Sequence, residues 1–312
     1  MKPILGAQLE KLLGCPQCKI PLVRSGTFRC SSCGREFSQS PYGAWDFTLR
    51  YPPFFTPVSR SHCRDTQDWY ENWSEEIARH DDYEVHLREL GLVSDVYTRE
   101  FKLSGTVLDV GGLWGQLRHF LADGSTYVSI DPCPFPFTLL QAQPNLLRVY
   151  PRLLEDCNFV NGEAEYLPLL GESFDYVHLR SVLDHLMDPV QAMFEARRVL
   201  KPTGKILVGV HVTGGQSPIR NNHGIQSLVA RLRRKLRNEG VTETAKALAR
   251  RFAGKYEEDK HIWHPRYSEL GELFAFAGFS IEKVHWQKPP YDHVVFMLGS
   301  KAALPTATRP ES

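Results

Sequence analysis

The chain has 312 residues, 42% of them hydrophobic and 23% charged, which is typical of a globular protein and leaves room for one large and one small domain. Its formal net charge of +1 provides no global attraction to nucleic acid, and no stretch approaches the roughly 20 apolar residues that span a bilayer. Glu10 and Lys11 interrupt the first apolar run, so a secretory signal is not expected and the sequence predicts a cytoplasmic protein.

Two C-x-x-C pairs near the N-terminus predict a metal site. Cys15 and Cys18 form the first pair, and Cys30 and Cys33 form the second after eleven intervening residues. Four thiolates on two tight turns suit tetrahedral zinc, and a site closed by four protein ligands is structural. Short hairpin strands are expected at residues 21–23, 27–29 and 36–37. The pattern predicts a zinc ribbon over residues 1–48, with free thiols or a redox pair as the alternative.

The next segment lacks regular periodicity and then becomes helical. Three prolines within residues 49–61 predict a linker. Residues 65–101 are rich in charged and aromatic side chains and predict two or three helices. Four apolar residues in this segment recur at helical spacing: Trp69, Tyr70, Trp73 and Ile77. They either cover the edge of a sheet or cap a bound ligand.

A glycine-rich turn lies at the centre of the sequence. The short β-branched strand Thr106–Val110 runs into Gly111, Gly112 and Gly115, and an amphipathic helix is expected to follow. The glycines allow the backbone to approach a ligand closely, and the helix N-terminus favours a negative group such as a carboxylate. Asp109 stands near the carboxyl end of the strand, where open α/β sheets bind their ligands.

Strands and helices alternate after this turn. A strand at residues 127–130 ends on Asp131, about 20 residues past the glycines, where an acidic residue can accept hydrogen bonds from both hydroxyls of a ribose. Three further strands are expected at residues 158–161, 174–179 and 201–212, with a helix at 188–200 before the last of them. This alternation predicts a mostly parallel sheet with helices on both faces.

Residues 107–212 resemble the large class I, type 11-like family of S-adenosylmethionine-dependent methyltransferases. The family pattern runs D-x-G-x-G-x-G, a strand ending in an acidic residue, G-D-A-x-x-L-P-F, S-F-D, V-L-x-H and R-V-L-K-P-G-G. The residues that match it are Asp109, Gly111, Gly115, Asp131, Gly162, Glu163, Ala164, Leu167, Pro168, Phe174, Asp175, Val182, Leu183, His185, 198–202 and Gly204. The resemblance implies a Rossmann-like α/β fold with a seven-stranded, mostly parallel sheet, in a methyltransferase domain over residues 62–302.

The resemblance also implies S-adenosylmethionine as cofactor and assigns residues to it. Asp109 and the glycine turn would hold its methionine part, Asp131 its ribose, and Glu163 and Ala164 its adenine. The full set of predicted cofactor contacts is Asp109, Gly111, Gly112, Gly115, Asp131, Pro132, Glu163, Ala164 and Arg180.

One position departs from the family pattern. Leu113 replaces the middle glycine of the turn, so its side chain is expected to crowd the cofactor or to force a different turn. A nicotinamide dehydrogenase is the natural alternative for a glycine-rich turn, but its G-x-G-x-x-G spacing is not met here.

The N-terminal ribbon resembles a second family, the small zinc ribbons that partner methyltransferases or are fused to them. The shared pattern is C-P-x-C, a leucine, C-x-x-C, an aromatic residue and a glycine-containing turn into an apolar strand. The matching residues besides the cysteines are Leu22, Phe37, Gly43 and Trp45.

Histidines are the candidate catalytic residues. Methyl transfer is an in-line displacement that is sometimes assisted by removal of a proton from the acceptor. His185 and His211 follow two of the predicted strands, and His261 is expected at the pocket mouth with Trp263 and His264. In the family the position of His185 is usually structural. Asp184 is expected near the N-cap of the next helix.

An insertion and a tail complete the C-terminal third. Residues 214–260 are predicted to contain a basic amphipathic helix. Three interpretations are open: a solvated helix docked by its leucines, a lid over an anionic acceptor, or a helix that contacts a membrane surface. A closing helix and two antiparallel strands are expected to follow within residues 271–301. Residues 303–312 are predicted to be disordered.

Three functions remain open at this stage. The first is methylation of a small-molecule, lipid or sugar acceptor, which the near-neutral charge and the lack of an Asn/Asp-Pro-Pro-Tyr element after residues 174–179 favour. The second is methylation of RNA gripped by the ribbon, an arrangement similar to one family of ribosomal-RNA guanine methyltransferases. The third is cofactor binding without catalysis, which Leu113 keeps open. Basic residues of the ribbon support the second function: Lys19, Arg24, Arg29 and Arg35.

Overall fold

The computed structural model describes residues 2–49, 79–133, 136–216, 261–288 and 292–302. Within them the strands are β1 (Pro3–Ile4), β2 (Leu22–Ser25), β3 (Thr27–Cys30), β4 (Glu36–Phe37), β5 (Trp45–Asp46), β6 (Thr106–Val110), β7 (Thr126–Asp131), β8 (Cys157–Asn161), β9 (Phe174–Arg180), β10 (Leu200–His211), β11 (Phe279–Trp286) and β12 (Val294–Lys301). The α-helices are α1 (Ala7–Glu10), α2 (Tyr83–Asp95), α3 (Pro136–Leu139), α4 (Pro144–Val149), α5 (Pro189–Val199) and α6 (Tyr267–Phe276).

The central sheet follows the order β1-β8-β7-β6-β9-β10-β12-β11. Strands β6 to β10 pair in parallel, whereas β12 runs antiparallel to both β10 and β11. The seven strands β6 to β12 confirm the predicted Rossmann-like α/β fold with a mostly parallel sheet. Two short strands extend the sheet to nine, because β1 and β5 both lie parallel to β8 on its outer side.

The sheet is buried on both faces, as its parallel strands require. Along β6, Leu108 belongs to the apolar cluster on one face and Val107 to the cluster on the other, and both side chains are fully buried. The same alternation continues in β10, where Val208 and Leu207 point to opposite faces. Each buried side chain of this size stabilises the fold by roughly 1.5–3 kcal/mol relative to its exposure.

Helix α5 begins at a well-formed N-cap. The side chain of Asp188 accepts a hydrogen bond from the backbone N–H of Gln191 at 2.8 Å, and Pro189 occupies the first helical position. Asp184, which the sequence analysis placed near this cap, lies instead in a separate 3₁₀ turn, Leu183–His185, and is buried. That prediction was wrong because the chain turns once between β9 and α5 before the helix starts.

The predicted amphipathic helix after the glycine turn is also wrong. A short 3₁₀ helix, Gln116–Phe120, occupies the position, and the chain becomes extended at Leu121. The buried side chain of Arg118 donates hydrogen bonds to the carbonyl oxygens of Gly115 and Trp114, at 3.2 and 3.3 Å. Because Gly124 then turns with a positive φ and β7 follows, the segment has room for little more than one tight turn.

The N-terminal ribbon packs directly on the central sheet. Strands β2, β3 and β4 form its own three-stranded sheet. Phe28 and Phe37 belong to the same buried cluster as Leu108 of β6. The backbone N–H of Gly14 donates to the carbonyl of Pro168 at 3.0 Å. The ribbon therefore shares its core with the larger domain, and the boundary at residue 48 stays a prediction.

Several predicted features lie outside the described residues. They are the linker beyond Leu49, the aromatic stripe at Trp69, Tyr70, Trp73 and Ile77, the insertion from residue 217 to 260 and the tail at 303–312. Across the described parts of the chain, none of the helices has the length and apolar character that a bilayer span requires.

Candidate active site

A cavity of about 860 Å³ opens at the carboxyl ends of β6, β7, β8 and β9. Eight of the nine predicted cofactor contacts line it: Asp109, Gly111, Gly112, Asp131, Pro132, Glu163, Ala164 and Arg180. Gly115 does not; it precedes the 3₁₀ helix with φ +81° and serves the shape of the turn. The volume lies within the usual range for small-molecule and cofactor pockets.

The glycine turn is closely packed. A Cβ atom at Gly111 would lie 2.4 Å from a methyl group of Val182, and φ at this residue is +69°. A Cβ atom at Gly112 would lie 2.6 Å from oxygen atoms of both Asp109 and Ser129. Glycine is therefore required at both positions, for space at each and also for backbone conformation at Gly111.

Leu113 borders the cavity and adopts a left-handed backbone conformation, with φ +44°. Such a conformation is unusual for a bulky side chain. The backbone N–H of Leu113 donates to Oδ2 of Asp131 at 3.1 Å, so the carboxylate holds the turn in place. The leucine thus adopts a backbone conformation that glycine adopts more easily, and the predicted crowding of the cofactor stays a prediction.

The carboxylate of Asp109 is fixed by a buried network. Its Oδ2 accepts a hydrogen bond from the hydroxyl of Tyr127 at 2.7 Å, and its Oδ1 lies 2.7 Å from Nδ1 of His178. Nε2 of His178 lies 2.9 Å from the hydroxyl of Tyr97. Burial raises the pKa of both tyrosines well above the usual range, so both hydroxyls stay protonated. Asp109 therefore presents a pre-oriented carboxylate at the cavity wall.

Sequence reasoning missed His178 and Tyr97. A histidine within the otherwise apolar centre of β9 was a usable signal, because its place opposite Asp109 follows from the parallel pairing of β6 and β9. Tyr97 belongs to a π-helical turn, Val96–Glu100, at the end of α2, and nothing local connects it to the site.

Two carboxylates, the buried Asp131 and the partly buried Glu163, occupy the β7 and β8 side of the cavity. Asp131 accepts the backbone N–H of Cys133 at 2.9 Å as well as that of Leu113. Burial raises its pKa to about 6. Oε2 of Glu163 accepts the backbone N–H of Leu49 at 3.0 Å, and burial raises the pKa of Glu163 to about 7.

The last residues of the ribbon segment form part of this wall, which the sequence did not predict. Asp46 and Thr48 line the cavity, and both the N–H and the hydroxyl of Thr48 donate to Oδ1 of Asp46, at 3.0 and 2.6 Å. Strand β5 pairs with Val160 and Asn161 of β8, which places Asp46 beside Glu163. A two-residue strand has no recognisable pattern, so its partner could not be read from the sequence.

The predicted catalytic histidines separate into two groups. His185 and His261 both line the cavity on the β9 side, and their ring centroids lie 4.4 Å apart in a stacked arrangement. His211 is exposed and does not line the cavity; its ring stacks on His293 with centroids 5.3 Å apart. Trp263 and His264 do not line the cavity either.

The four ribbon cysteines converge. One ligand atom from each, the Sγ of Cys15, Cys18, Cys30 and Cys33, lies within 4.8 Å of all the others, and those of Cys15 and Cys33 are 3.9 Å apart. Tetrahedral zinc with bonds of about 2.3 Å holds its sulfur ligands about 3.8 Å apart. Each knuckle is completed by a residue with positive φ, Lys19 and Gly34. The donor set and its spacing fit a zinc ion.

The central part of the chain is similar to known methyltransferases. Residues 108–208 match the model of a family described as a methyltransferase domain, which confirms the predicted methyltransferase domain in the centre of the chain. A demethylmenaquinone methyltransferase of Renibacterium salmoninarum is 33% identical over 102 residues, covering 33% of this chain and 39% of that protein. Its counterpart in Lactiplantibacillus plantarum is 28% identical over 147 residues, covering 46% and 55%. The chain thus spans 39% of the length of the first relative and 55% of the length of the second.

Solved structures show the same kind of similarity. The 1,6-didemethyltoxoflavin-N1-methyltransferase of Burkholderia thailandensis, solved with its substrate and S-adenosylhomocysteine, is 14% identical with a TM-score of 0.47, over 89% of this chain and all of that one. A SAM-dependent methyltransferase of Aquifex aeolicus is 17% identical with a TM-score of 0.40, over 72% and 97%.

Proposed function

We propose that the protein is an S-adenosylmethionine-dependent methyltransferase acting on a small-molecule acceptor. One observation carries this proposal: the glycine turn, Asp131 and Glu163 converge on one cavity at the carboxyl ends of the central strands. The match of residues 108–208 to a methyltransferase domain supports it.

The β7 and β8 side of the cavity suits the nucleoside of the cofactor. Asp131 and Glu163 each have lone pairs beyond those engaged by backbone N–H groups, so Asp131 can accept from ribose hydroxyls and Glu163 from the adenine amino group. Gly111 and Gly112 line the cavity and have no side chains, so their backbone can approach the methionine part closely.

The chain's contribution to transfer is mainly alignment. When bound, the cofactor supplies an electrophilic methyl group on a sulfonium. The network around Asp109 holds one wall rigid, which favours a defined attack geometry. The apolar side chains of Val93, Phe120 and Tyr150 border the cavity and limit the access of water. His185 and His261 face the remaining space, where the acceptor would lie.

A small molecule is the proposed acceptor. The cavity is enclosed by side chains from several elements and is large enough for the cofactor and a modest acceptor together. The relatives named demethylmenaquinone methyltransferase support an acceptor that is not a macromolecule. The near-neutral net charge gives no support to an RNA substrate.

We also propose that the ribbon cysteines bind one structural zinc ion. The four thiolates satisfy the metal completely, so the ion would stabilise the ribbon and take no part in the transfer. Elemental analysis of freshly purified protein should find this zinc, and the Cys30→Ser variant should lose it.

The function is tested with labelled cofactor. Calorimetry should first show binding of S-adenosylmethionine to the full chain. A screen of metabolite pools with the methyl-labelled cofactor should then identify a labelled small molecule. Labelling that appears only in added RNA, with a steep dependence on salt, would contradict the proposal.

A further inference from the structure

Three potential metal ligands meet on the β9 side of the cavity. Nε2 of His261 lies 3.6 Å from Oδ2 of Asp184, and Nε2 of His185 lies 3.9 Å from Oδ1 of the same carboxylate. One ligand atom from each residue lies within 4.8 Å of the other two. The two imidazoles line the cavity, and the carboxylate lies directly behind them.

The backbone holds these residues together across a long separation in sequence. Asp184 and His185 share the 3₁₀ turn after β9, where the N–H of His185 donates to the carbonyl of Val182 at 2.9 Å. The N–H groups of Ile262 and Trp263 donate to the backbone carbonyl of Asp184, at 2.8 and 3.1 Å. The backbone of the two residues that follow His261 therefore holds it beside this turn.

The carboxylate of Asp184 is poorly satisfied for a buried group. Its side chain is 5% exposed, and its Oδ1 has no hydrogen-bond partner among the residues that the structure describes. Desolvating a carboxylate without compensation is costly, and buried carboxylates are normally paired with a cation or bound to a metal. A cation bound to this carboxylate would compensate the cost of its desolvation.

We propose that Asp184, His185 and His261 bind a divalent first-row transition cation, such as zinc. Tetrahedral bonds of about 2.0–2.2 Å place neighbouring ligand atoms about 3.3–3.6 Å apart. The pairs at 3.6 and 3.9 Å are already near this separation, and no pair needs to close by more than about 1.5 Å. Two imidazoles and one carboxylate are a common ligand set for such cations, and three protein ligands leave coordination positions open towards the cavity.

This inference rests on the proposed function, because the open positions face the space assigned to the acceptor. It also narrows the acceptor to a small molecule bearing a hydroxyl group. A hydroxyl bound to the cation loses its proton to water more readily. The oxygen lone pair then forms the new C–O bond, while the C–S bond of the sulfonium breaks and sulfur keeps the electron pair. Methyl transfer to oxygen is thus the expected reaction.

The test is metal stoichiometry of the full chain with zinc and with cobalt. We expect two ions per chain at saturation in the parent protein, one in the ribbon and one here. His261→Ala and Asp184→Asn should keep the ribbon ion and weaken the second by more than about 100-fold, since loss of even an outer-shell partner costs 10–100-fold. Cobalt distinguishes the sites, because only the ribbon gives thiolate charge-transfer absorption.

His264→Ala is the matched control, because its ring lies 5.7 Å from that of His261 but does not line the cavity; it should keep both ions. Retention of the ribbon ion shows that a variant is folded. If Asp184→Asn fails to fold, His261→Ala still tests the site, because the side chain of His261 is half-exposed and its loss should not unfold the protein. One ion per parent chain, or two in His261→Ala, would overturn the metal site. Calorimetry with S-adenosylmethionine on the same samples distinguishes the two proposals. If only the metal site is wrong, the parent chain still binds the cofactor; if the proposed function is wrong, it does not.

Discussion

The two sides of the cavity use their carboxylates in different ways. On the β7 and β8 side, Asp131 and Glu163 each accept hydrogen bonds from backbone N–H groups that are fixed by the fold. On the β9 side, Asp184 faces two imidazoles and keeps one oxygen without a hydrogen-bond partner in the described parts of the chain. The difference indicates that one side is built to receive neutral hydrogen-bond donors and the other to receive a cation.

The largest expected effect is a loss of turnover when a residue on the β9 side of the cavity is replaced. His261→Ala should lower turnover by about 10²–10⁴-fold, the usual range for loss of a group that assists proton removal. The affinity for S-adenosylmethionine should change less than about twofold, because His261 lies across β6 from Asp131 and Glu163. Steady-state kinetics and calorimetry measure the two quantities.

His211→Ala is the informative comparison for this variant. Since His211 does not line the cavity, its replacement should leave turnover within about threefold of the parent. If His211→Ala and His261→Ala lost turnover equally, His211 would also have to be a catalytic residue, and the special role of the β9 side would be contradicted.

Replacement of a carboxylate on the β7 and β8 side should mainly weaken cofactor binding. Asp131→Ala removes the acceptor for the proposed ribose contact and for two backbone N–H groups, and should weaken cofactor binding by about 1.5–3 kcal/mol. Asp123→Ala, at an almost fully exposed carboxylate paired with Arg152, is the control and should bind the cofactor normally. Calorimetry that finds parent affinity in Asp131→Ala would remove Asp131 from the cofactor site.

The pH dependence of cofactor binding sharpens the same comparison. Burial raises the pKa of Asp131 to about 6 and that of Glu163 to about 7. Only the ionised carboxylates accept fully from cofactor donors, so affinity should be complete above about pH 8 and should fall as the pH drops through these values. At pH 5 the loss should be on the order of tenfold or more. Affinity that rises with acid, measured by calorimetry, would contradict this assignment.

The smallest expected effect links the ribbon to the cavity. Zinc removal should loosen strand β5 and the backbone of Leu49, whose N–H donates to Glu163. Loss of that hydrogen bond corresponds to about 1 kcal/mol, or roughly fivefold weaker cofactor binding in Cys30→Ser. Ser32→Ala, an exposed non-ligand of the same knuckle, should behave as the parent. If Cys30→Ser binds the cofactor unchanged, the ribbon and the cavity are independent.

Features with a local signature were predicted well from the sequence. Strand β6 has the predicted bounds, and the four cysteines converge as their spacing indicated. Eight predicted cofactor contacts line one cavity because each follows the carboxyl end of a parallel strand. These features depend on residues that are close in sequence or on the general rule for open α/β sheets.

Features that depend on distant pairing were missed. The docking of β1 on β8 joins residues more than 150 positions apart through a two-residue strand. Asp184 and His261 are clamped by backbone hydrogen bonds that no sequence pattern reveals. In the 3₁₀ helix after Gly115, Arg118 donates a tertiary hydrogen bond to the carbonyl of Glu155 at 3.1 Å, a contact that helical periodicity in the sequence does not reveal.

The position of β1 and β5 has a consequence for any shortened form of the protein. Both strands lie on the outer side of β8, and each is only two residues long. Short strands of this kind protect a sheet from edge-to-edge association, because they cover its open backbone groups without offering a new template of useful length. A protein cut after the ribbon would present β8, with its buried apolar residues, as an unprotected edge, so self-association and precipitation would accompany the loss of the N-terminal segment.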